Sequence, residues 1–544
     1  MRDVDVLIVG GGPVGLTASI LLSRAGVTSL LVERHGGTAV HPKARGINSR
    51  TMEIFRQCGV EDRIRAAGLA PERSRFIVWS RSLAGEELER RVPARSRAEA
   101  LTISPVPRCL CAQDDLEPVL RAAAESQQPG VVQFGAELLA FTQDADGVTG
   151  TIRTRDGESQ VHARYLIAAD GARSPVREAL GIPMHGNAGI YRSINVLLNA
   201  DLTRWVADRP AALYFIEQPG LKATFLTING VNRWGFLINN LPVNGSGDEY
   251  TPERCAALVR QAAGIPDLEV EILGAVSWGA AALVAERYRR GRVFLAGDAA
   301  HHMPPTGGFG LNTGVQDVHN LAWKLSAVIH GWAGAGLLDS YEAERLPYGR
   351  AITEQALANA RSLGRGETLD PAPLSALARP EFLNELGMIF GARYESGAVV
   401  ADGTPPPKVA NPVTDYTPTA RPGSRAPHVW VARDGSRVST LDLLGGQQFT
   451  LLVGPEGRAW CDAARAAADR LRVPLDVLVI SADEQPAGGD ADWAATYGIE
   501  DDGAVLIRPD GYVGWRRASA SSDPSLELAG ALEHILGRAQ YSAI

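Results

Sequence analysis

The sequence lacks the features that mark membrane, secreted and nucleic-acid-binding proteins. It has no run of about 18 apolar residues, so no membrane span is expected. Residues 4–9 run as a strand into a glycine-rich turn, which is not the pattern of a signal peptide. The formal net charge of -8 argues against nucleic acid as a partner. These absences predict a cytoplasmic protein.

Cysteine is scarce, and the few cysteines form no framework. There are five in 544 residues, which indicates a reducing compartment. Cys109 and Cys111 are too close together for a usual zinc knuckle and have no partner pair, so both are interpreted as structural. Cys461 stands alone, without a C-x-x-C motif. Neither a metal site nor disulfide chemistry is therefore expected.

The length and composition predict an ordinary globular protein with several domains. Apolar residues make up 45% of the chain, a typical fraction for a globular protein. A chain of 544 residues is too long for one hydrophobic core, so two or three domains are expected.

The first 33 residues carry the pattern of a dinucleotide-binding unit. A strand at 4–9 leads into Gly10-Gly11-Gly12-Pro13-Val14-Gly15, a helix is predicted over 16–24, and a strand over 29–32 ends at Glu33. The glycines permit a tight turn, the approach of a pyrophosphate and close packing of helix on strand. Glu33 is placed to accept hydrogen bonds from a ribose. This fingerprint alone does not distinguish FAD from NAD.

A second strand–loop–helix unit lies near residue 300. A strand at 292–296 is followed by Asp298, a Pro- and Gly-rich loop extends to Gly314, and a helix is predicted over 315–329. Free N–H groups at a helix start favour negative charge. A merely structural turn is the alternative explanation for such a density of glycine.

A third motif follows a strand at 165–169. That strand delivers Asp170-Gly171, and an acid at the carboxyl end of a strand lies where open α/β sheets bind ligands. The three motifs, in this order, resemble those of class A flavoprotein aromatic monooxygenases, the para-hydroxybenzoate hydroxylase and phenol hydroxylase group. The branch that oxidises polycyclic aromatic polyketides in antibiotic pathways is the most similar. The resemblance covers residues 1–400 well and the rest more loosely.

The resemblance implies an α/β fold with three domains. A Rossmann-like FAD-binding domain is expected from 1–74, 102–180 and 281–400. An antiparallel β-sheet domain that binds substrate is expected from 75–101 and 181–280. A thioredoxin-like C-terminal domain is expected from 408–544, where strands are predicted at 449–453 and 475–480, a hairpin at 504–515, and helices at 459–471 and 525–536. Residues 346–395 are predicted to be mostly helical.

The resemblance also implies which residues hold FAD. Lys43 and Arg45 precede a helix predicted over 49–57, with Ser49 as its cap, and are candidates to face the flavin or its phosphates; a solvated basic loop is the alternative. Gln113 is a candidate for the ribityl or phosphate region, with simple polarity of a helix start as the alternative. The full expected set is Gly10, Gly12, Pro13, Val14, Gly15, Glu33, Arg34, Lys43, Arg45, Gln113, Asp170, Asp298, Pro305, Gly308, Gly310, Leu311 and Asn312.

The substrate is expected against an antiparallel sheet formed by strands at 193–198, 212–216, 223–228 and 233–238. One face of this sheet is predicted to pack on helices and the other to cover a pocket. Four aromatic residues are the candidate substrate contacts, although a role in the core alone is an equal alternative for each. They are Tyr214, Phe225, Trp234 and Phe236.

The expected reaction is hydroxylation of a phenolic polycyclic aromatic through a flavin C4a-hydroperoxide, with O2 and either NADPH or NADH as co-substrates. Arg45, Pro304 and Pro305 are the candidate catalytic residues, the prolines because they would keep water from the flavin. No base is assigned, since His301 and His302 are equally compatible with structural roles. Baeyer–Villiger oxidation, epoxidation, ring rearrangement, a non-oxygenating flavoprotein and a flavin-free dehydrogenase are the alternatives. A homodimer is a candidate assembly.

Overall fold

A computed structural model describes residues 2–92, 97–241, 247–363, 384–481 and 492–538. In chain order the strands are β1 (Arg2–Val9), β2 (Ser29–Glu33), β3 (Gly46–Ile47), β4 (Phe76–Ser80), β5 (Glu87–Arg91), β6 (Cys109–Leu110), β7 (Val132–Phe134), β8 (Glu137–Gln143), β9 (Val148–Thr154), β10 (Gly157–Ala168), β11 (Met184–Asn199), β12 (Ala211–Gln218), β13 (Leu221–Thr227), β14 (Arg233–Leu241), β15 (Glu271–Ala285), β16 (Arg289–Arg290), β17 (Val293–Leu295), β18 (His301–His302), β19 (Trp430–Arg433), β20 (Ser436–Ser439), β21 (Phe449–Val453), β22 (Leu475–Val479), β23 (Ala504–Ile507) and β24 (Val513–Arg517).

The described helices are distributed along the same segments. They are α1 (Pro13–Arg24), α2 (Ser49–Gln57), α3 (Glu61–Ala67), α4 (Arg97–Ala100), α5 (Gln113–Gln127), α6 (Pro175–Ala179), α7 (Thr203–Val206), α8 (Pro252–Ala263), α9 (Phe309–Ile329), α10 (Asp339–Ser362), α11 (Leu386–Phe390), α12 (Arg458–Leu471), α13 (Trp493–Tyr497) and α14 (Pro524–Ile535), with short 3-10 helices at Pro71–Arg73, Gly297–Ala299 and Ala335–Leu338. The region 346–395, predicted to be mostly helical, is helical to Ser362 and from Leu386 to Phe390, and residues 364–383 lie outside the described part.

The first sheet, sheet A, has the order β16-β17-β10-β1-β2-β7, with the hairpin β8–β9 attached to β10. Strands β17, β10, β1, β2 and β7 are parallel. The last four residues of β1 are all buried and apolar, as expected of a parallel strand covered on both faces. Helices α1 and α9 pack together on this sheet, and α1 also contacts α5. These contacts make the α/β fold that the sequence predicts.

Two local predictions are wrong, the start of α9 and the cap of α2, whereas α2 spans Ser49–Gln57 as predicted. Helix α9 begins at Phe309, six residues before the predicted start, so the glycine-rich stretch is partly helical. Gly314 is needed there because a Cβ would lie 2.6 Å from Val14 and 2.9 Å from the Cα of Gly297. Glycine therefore signals close packing here and not a loop. Helix α2 is capped by Asn48 instead of Ser49, since the Asn48 side chain accepts from the N–H of Thr51 at 2.9 Å.

The second sheet, sheet B, has the order β18-β15-β11-β14-β13-β12-β4-β5. Every pair is antiparallel except β12 with β4. One face packs against α8 in a core that contains Val259, Phe225 and Phe236. The opposite face turns towards sheet A. The predicted antiparallel sheet with one face on a helix therefore has one face left for a cavity.

The third sheet, sheet C, has the order β22-β21-β23-β24, with β21 parallel to β22 and antiparallel to β23. Each strand and helix predicted for the C-terminal region is found within one or two residues. The β19–β20 hairpin and α13 are additional. Phe449 of this sheet packs edge-on against Trp323 and Trp332, so the C-terminal region shares a core with α9.

Buried charges also join the C-terminal region to the rest of the chain. Glu344 on α10 accepts hydrogen bonds from Lys324 at 2.8 Å and from Arg508 at 2.6 Å, and all three side chains are 0% exposed. Arg508 also pairs with Asp510. Since an isolated charge is costly to bury, each of these groups depends on the others.

Acid pH is expected to destabilise the fold through two buried histidines. Burial, with Arg50 nearby, lowers the pKa of His319 to about 3, and burial, with Arg425 nearby, lowers that of His428 to about 4. The unfolded chain protonates both near pH 6.5, so stability is complete above that pH and falls as the pH drops towards 4. Urea midpoints at pH 7 and pH 4.5 measure this loss. His319→Gln should show a smaller loss than the wild type, and an equal loss would contradict the assignment.

Candidate active site

A cavity of about 2470 Å³ lies between the carboxyl ends of sheet A and the free face of sheet B. Single-ligand pockets usually measure about 300–1,000 Å³, so this cavity has room for a dinucleotide and a second molecule. Of the residues predicted to hold a cofactor, those that line it are Gly10, Gly12, Pro13, Val14, Glu33, Arg34, Lys43, Arg45, Gln113, Asp170, Asp298, Pro305, Gly308, Gly310, Leu311 and Asn312. Gly15 is in the predicted set but does not line the cavity.

In the turn after β1, glycine has a structural reason at each of positions 10, 12 and 15. Gly10 has φ +111°, and a Cβ there would lie 2.2 Å from the carbonyl oxygen of Ala169. A Cβ at Gly15 would lie 2.0 Å from the carbonyl oxygen of Gly10, so Gly15 serves helix–strand packing and not the cavity. Gly12 precedes α1 and has no side chain to cap it. The first N–H groups of α1 are therefore left for an anion.

Glu33, at the end of β2, is fixed by the same turn. Its Oε2 accepts from the N–H of Gly11 at 2.7 Å, and its Oε1 accepts from the N–H of His35 at 2.8 Å. Burial raises the pKa of Glu33, but these N–H groups outweigh burial and hold it below its ordinary value. The side chain is thus a carboxylate that lines the cavity next to α1, as a ribose acceptor would be.

We expect Glu33→Gln to bind FAD about 10- to 100-fold more weakly, because charged hydrogen bonds are lost at a partly buried site. The preference between NADPH and NADH should not change. Glu137→Gln is the matched control, since Glu137 also lines the cavity but pairs with Arg153. Flavin absorbance per protein after gel filtration measures retention. A reversed coenzyme preference with flavin still bound would show that Glu33 serves the other dinucleotide.

A second uncapped helix start faces the same cavity. Helix α9 follows Gly308, which has no side chain to cap it, and Gly310 and Leu311 lie in its first turn. Asp298 is exposed towards the cavity beside Gly310. Pro304 is buried and Pro305 is exposed, and both line the cavity.

Asn312 contributes through its side chain. Its Nδ2 donates to the carbonyl oxygens of Gly308 at 2.7 Å and Gly46 at 2.8 Å, and its Oδ1 accepts from the N–H of Asn48 at 2.9 Å. The side chain therefore ties the start of α9 to strand β3.

A buried ionic network supports the loop between β17 and α9. Asp317 accepts from His301 Nε2 at 2.6 Å, from Arg345 Nε at 2.8 Å and from the N–H of Gly297 at 3.0 Å. Asp317, His301 and Arg345 are all 0% exposed. His301 is therefore structural, whereas His302 lines the cavity.

The basic residues predicted to face a flavin are placed differently from one another. Lys43 is exposed and lines the cavity. The Arg45 guanidinium donates to the carbonyl oxygens of Thr227 at 2.8 Å and Ala212 at 2.5 Å, which fastens this loop to sheet B. Burial, with Arg108 nearby, lowers the pKa of Arg45 to about 10.

Two residues predicted to contact the cofactor, Gln113 and Asp170, form hydrogen bonds within the protein. Gln113 donates from Nε2 to Glu117 at 2.7 Å. Asp170 accepts from the N–H of Val176 at 3.1 Å, and burial raises its pKa. Both residues still line the cavity.

The four aromatic residues predicted to contact substrate do not line the cavity, and this prediction is corrected. Tyr214, Phe225, Trp234 and Phe236 are at most 1% exposed and lie in the core under α8. The Tyr214 hydroxyl donates to the backbone carbonyl oxygen of Arg209 at 2.9 Å, so its polar group is satisfied inside the core. Because side chains alternate along a strand, their neighbours face the cavity instead. Those neighbours are Leu213, Phe215, Thr224, Leu226, Gly235 and Leu237.

The sequence pattern did not indicate that these neighbours or Arg108 would line the cavity. Both faces of the strands are apolar, so alternation of polar and apolar residues does not select the cavity face. Arg108 lines the cavity but belongs to no recognisable motif.

Other kinds of site receive no support from the described residues. Among them, no group of three or more His, Cys, Asp or Glu side chains is placed to hold a metal ion. No helix in the described ranges is long and apolar enough to cross a membrane. All five cysteines are free thiols.

The residues present fit a flavin dinucleotide. Two uncapped helix starts, those of α1 and α9, supply N–H groups to one cavity, where Glu33 and Asp298 supply carboxylates. A Cβ built at Gly12 or Gly308 would meet no atom within 4 Å, so the cavity is open above both turns. Such a cradle accommodates a pyrophosphate and hydroxyl-bearing chains.

Comparisons with known proteins agree with this geometry. Residues 3–356 match the FAD binding domain family, and residues 419–539 match the aromatic-ring hydroxylase C-terminal family. The chain is 41% identical to tetracenomycin A2 monooxygenase-dioxygenase of Streptomyces glaucescens, covering 99% of this chain and 97% of that protein.

Solved structures resemble the whole chain. The flavin-dependent monooxygenase PieE, in complex with FAD and substrate, has a TM-score of 0.89 at 38% identity and covers 99% of each chain. Aklavinone-11 hydroxylase, in complex with FAD and aklavinone, has a TM-score of 0.85 at 37% identity and covers 99% of this chain and 100% of that one. The chain therefore belongs to the FAD-dependent aromatic-ring hydroxylases and is a flavoprotein monooxygenase.

Proposed function

We propose that this enzyme hydroxylates a polycyclic, phenolic aromatic of polyketide type in the biosynthesis of an antibiotic or other secondary metabolite. The observation that carries the proposal is the cavity of about 2470 Å³, which continues from the glycine turns to an apolar face of sheet B. Leu213, Leu226 and Leu237 on that face suit a flat, apolar molecule. The relatives named for tetracenomycin and aklavinone act on compounds of this kind.

We assign the cofactor contacts by the positions of the residues. Glu33 would hold the adenosine ribose, the N–H groups after Gly12 the pyrophosphate, and Asp298 the ribityl hydroxyls. When bound, FAD supplies the redox chemistry by taking electrons from NADPH or NADH and activating O2.

The protein itself would position the flavin, place charge beside its ring and exclude water from the cavity. The N–H groups of Gly310 and Leu311 in the first turn of α9 favour negative charge on the bound ring. Pro304 and Pro305 restrict water beside it. Arg45 holds the loop 43–48 against sheet B and keeps a positive charge at the cavity wall.

We further propose that the enzyme works in the cytoplasm, where NADPH and NADH are supplied and free thiols persist. The predicted division into three domains is supported by the way the strands group into three large sheets, A, B and C. A homodimer stays a prediction.

Product analysis under 18O2 tests the proposed reaction. The purified protein should be yellow, oxidise NADPH or NADH faster with a polycyclic phenol present, and place one labelled oxygen on an aromatic carbon. An inserted ester oxygen or an epoxide would indicate Baeyer–Villiger oxidation or epoxidation with the same cofactor. Coenzyme oxidation that yields no labelled product from any phenol tested would refute the hydroxylase proposal.

Substitutions on the two faces of β14 should separate substrate binding from folding. Leu237→Trp narrows the cavity and should raise the substrate KM at least tenfold, with FAD retained. Phe236→Ala removes a buried ring and should lower the free energy of unfolding by about 3–5 kcal/mol. Steady-state kinetics and urea unfolding measure the two effects. A stable Phe236→Ala enzyme with a raised KM would reverse the assignment of the faces.

A further inference from the structure

Arg108 is a positively charged residue of the cavity that has no role in the proposed cofactor contacts. It lines the cavity and is exposed towards it. It forms no hydrogen bond or ion pair with any residue in the described part of the chain. The cavity walls partly desolvate the Arg108 side chain and lower its pKa, and the charge of Glu385 opposes that effect.

Three arginines of this chain that are 0% exposed each have a carboxylate partner. Arg345 pairs with Asp317, Arg425 with Glu53 and Arg508 with Glu344. Arg108 has no such partner in the described part of the chain, and its side chain is exposed to the cavity, where it can pair with a ligand that brings the opposite charge.

The surroundings of Arg108 connect the start of α9 with the free face of sheet B. It precedes Cys109, which pairs with Ile47 on β3, and Ile47 is followed by the α2 cap that contacts Asn312. The second cation near it, Arg45, is anchored on carbonyl groups of sheet B. Glu385 directly precedes α11, whose residues Leu386 and Ile389 also line the cavity.

We propose that Arg108, with Arg45 beside it, forms an anion subsite that binds an acidic group of the aromatic substrate, either a carboxylate or an ionised phenol. The subsite rests on the proposed function, since it specifies which polycyclic aromatics the cavity accepts. Arg108 would pair with the anion through its planar guanidinium, while Arg45, held by two carbonyls, adds positive potential.

The test is ligand binding to the oxidised holoenzyme, read from the flavin absorbance. The probes are anthraquinone-2-carboxylate and its neutral analogue anthraquinone-2-carboxamide. The wild type should prefer the carboxylate at least tenfold. Arg108→Gln should weaken carboxylate binding about 10- to 100-fold and change carboxamide binding less than threefold. Arg108→Lys should recover part of the loss, because it restores charge without the planar fork.

Arg75→Gln is the matched control, since Arg75 also lines the cavity and the substitution removes the same charge. It should leave the carboxylate preference intact. The proposal is overturned if the wild type does not prefer the carboxylate, including failure to bind it, or if Arg75→Gln removes the preference equally. It is also overturned if Arg108→Gln loses FAD, which would indicate a cofactor phosphate contact, or if it raises only the KM for NADPH. Because binding is measured without turnover, failure of hydroxylation would refute the proposed function separately.

Discussion

Replacing Asp317 by alanine is expected to lower the free energy of unfolding by about 3–5 kcal/mol, because it leaves a buried arginine without its counter-charge. Burial raises the pKa of Asp317, but His301 and Arg345 outweigh burial and hold it below its ordinary value, so the group is a carboxylate. Asp317 also accepts the N–H of Gly297 and so fixes the turn that carries Asp298. The variant should therefore retain little FAD. Urea unfolding and flavin absorbance per protein measure the two losses.

Asp339→Ala provides the control for this substitution. Asp339 also pairs with an arginine, Arg289, but it is 78% exposed. Surface ion pairs contribute little, so this variant should keep its stability and its flavin. An Asp317→Ala protein as stable and as yellow as Asp339→Ala would show that the buried network does not support the flavin loop.

A chain that ends at Ala401 is expected to aggregate or change its oligomeric state. The truncation uncovers Trp323 and Trp332, which pack on Phe449, and removes Arg508 from Glu344. An apolar surface with a newly unbalanced charge favours association. We expect solubility to fail before the capacity to bind FAD. Size-exclusion chromatography with detection at the flavin absorbance measures both.

Cys461→Ser in the full-length chain is the control for a redox role of the C-terminal domain. Cys461 is a free thiol, and burial raises its pKa, so it is a poor nucleophile. The variant should oxygenate substrate at the wild-type rate. A folded but inactive Cys461→Ser enzyme would contradict the absence of a redox role. A soluble truncated chain with an unchanged assembly state would contradict the structural role of this domain.

The cofactor site could be predicted because its chemistry needs particular residues at fixed spacing. A tight turn beside Ala169 accepts only glycine at position 10, and the acid at the end of β2 follows at an interval set by one strand and one helix. Local spacing also predicted sheet C, because short apolar strands there alternate with an amphipathic helix.

The start of α9 at Phe309 could not be predicted from local spacing. Gly310 and Gly314 lower local helix propensity, and packing of the helix against Val14 and Gly297 overrides that propensity. The contact between Gly314 and Val14 joins residues 300 positions apart, so local composition carries no trace of it.

The sequence by itself determined the fold class and the glycine turns, since these depend on local backbone geometry, and its three motifs identified the flavin through their resemblance to a known family. Only the tertiary structure decided which face of sheet B lines the cavity. Strands β12 to β14 are apolar on both faces, and the choice follows from where α8 packs. The same holds for Arg45, which bonds to distant carbonyls of sheet B, and for the position of Arg108 near Glu385, because the segments involved meet only in the packed chain. The Asp317 network likewise joins residues of separate elements.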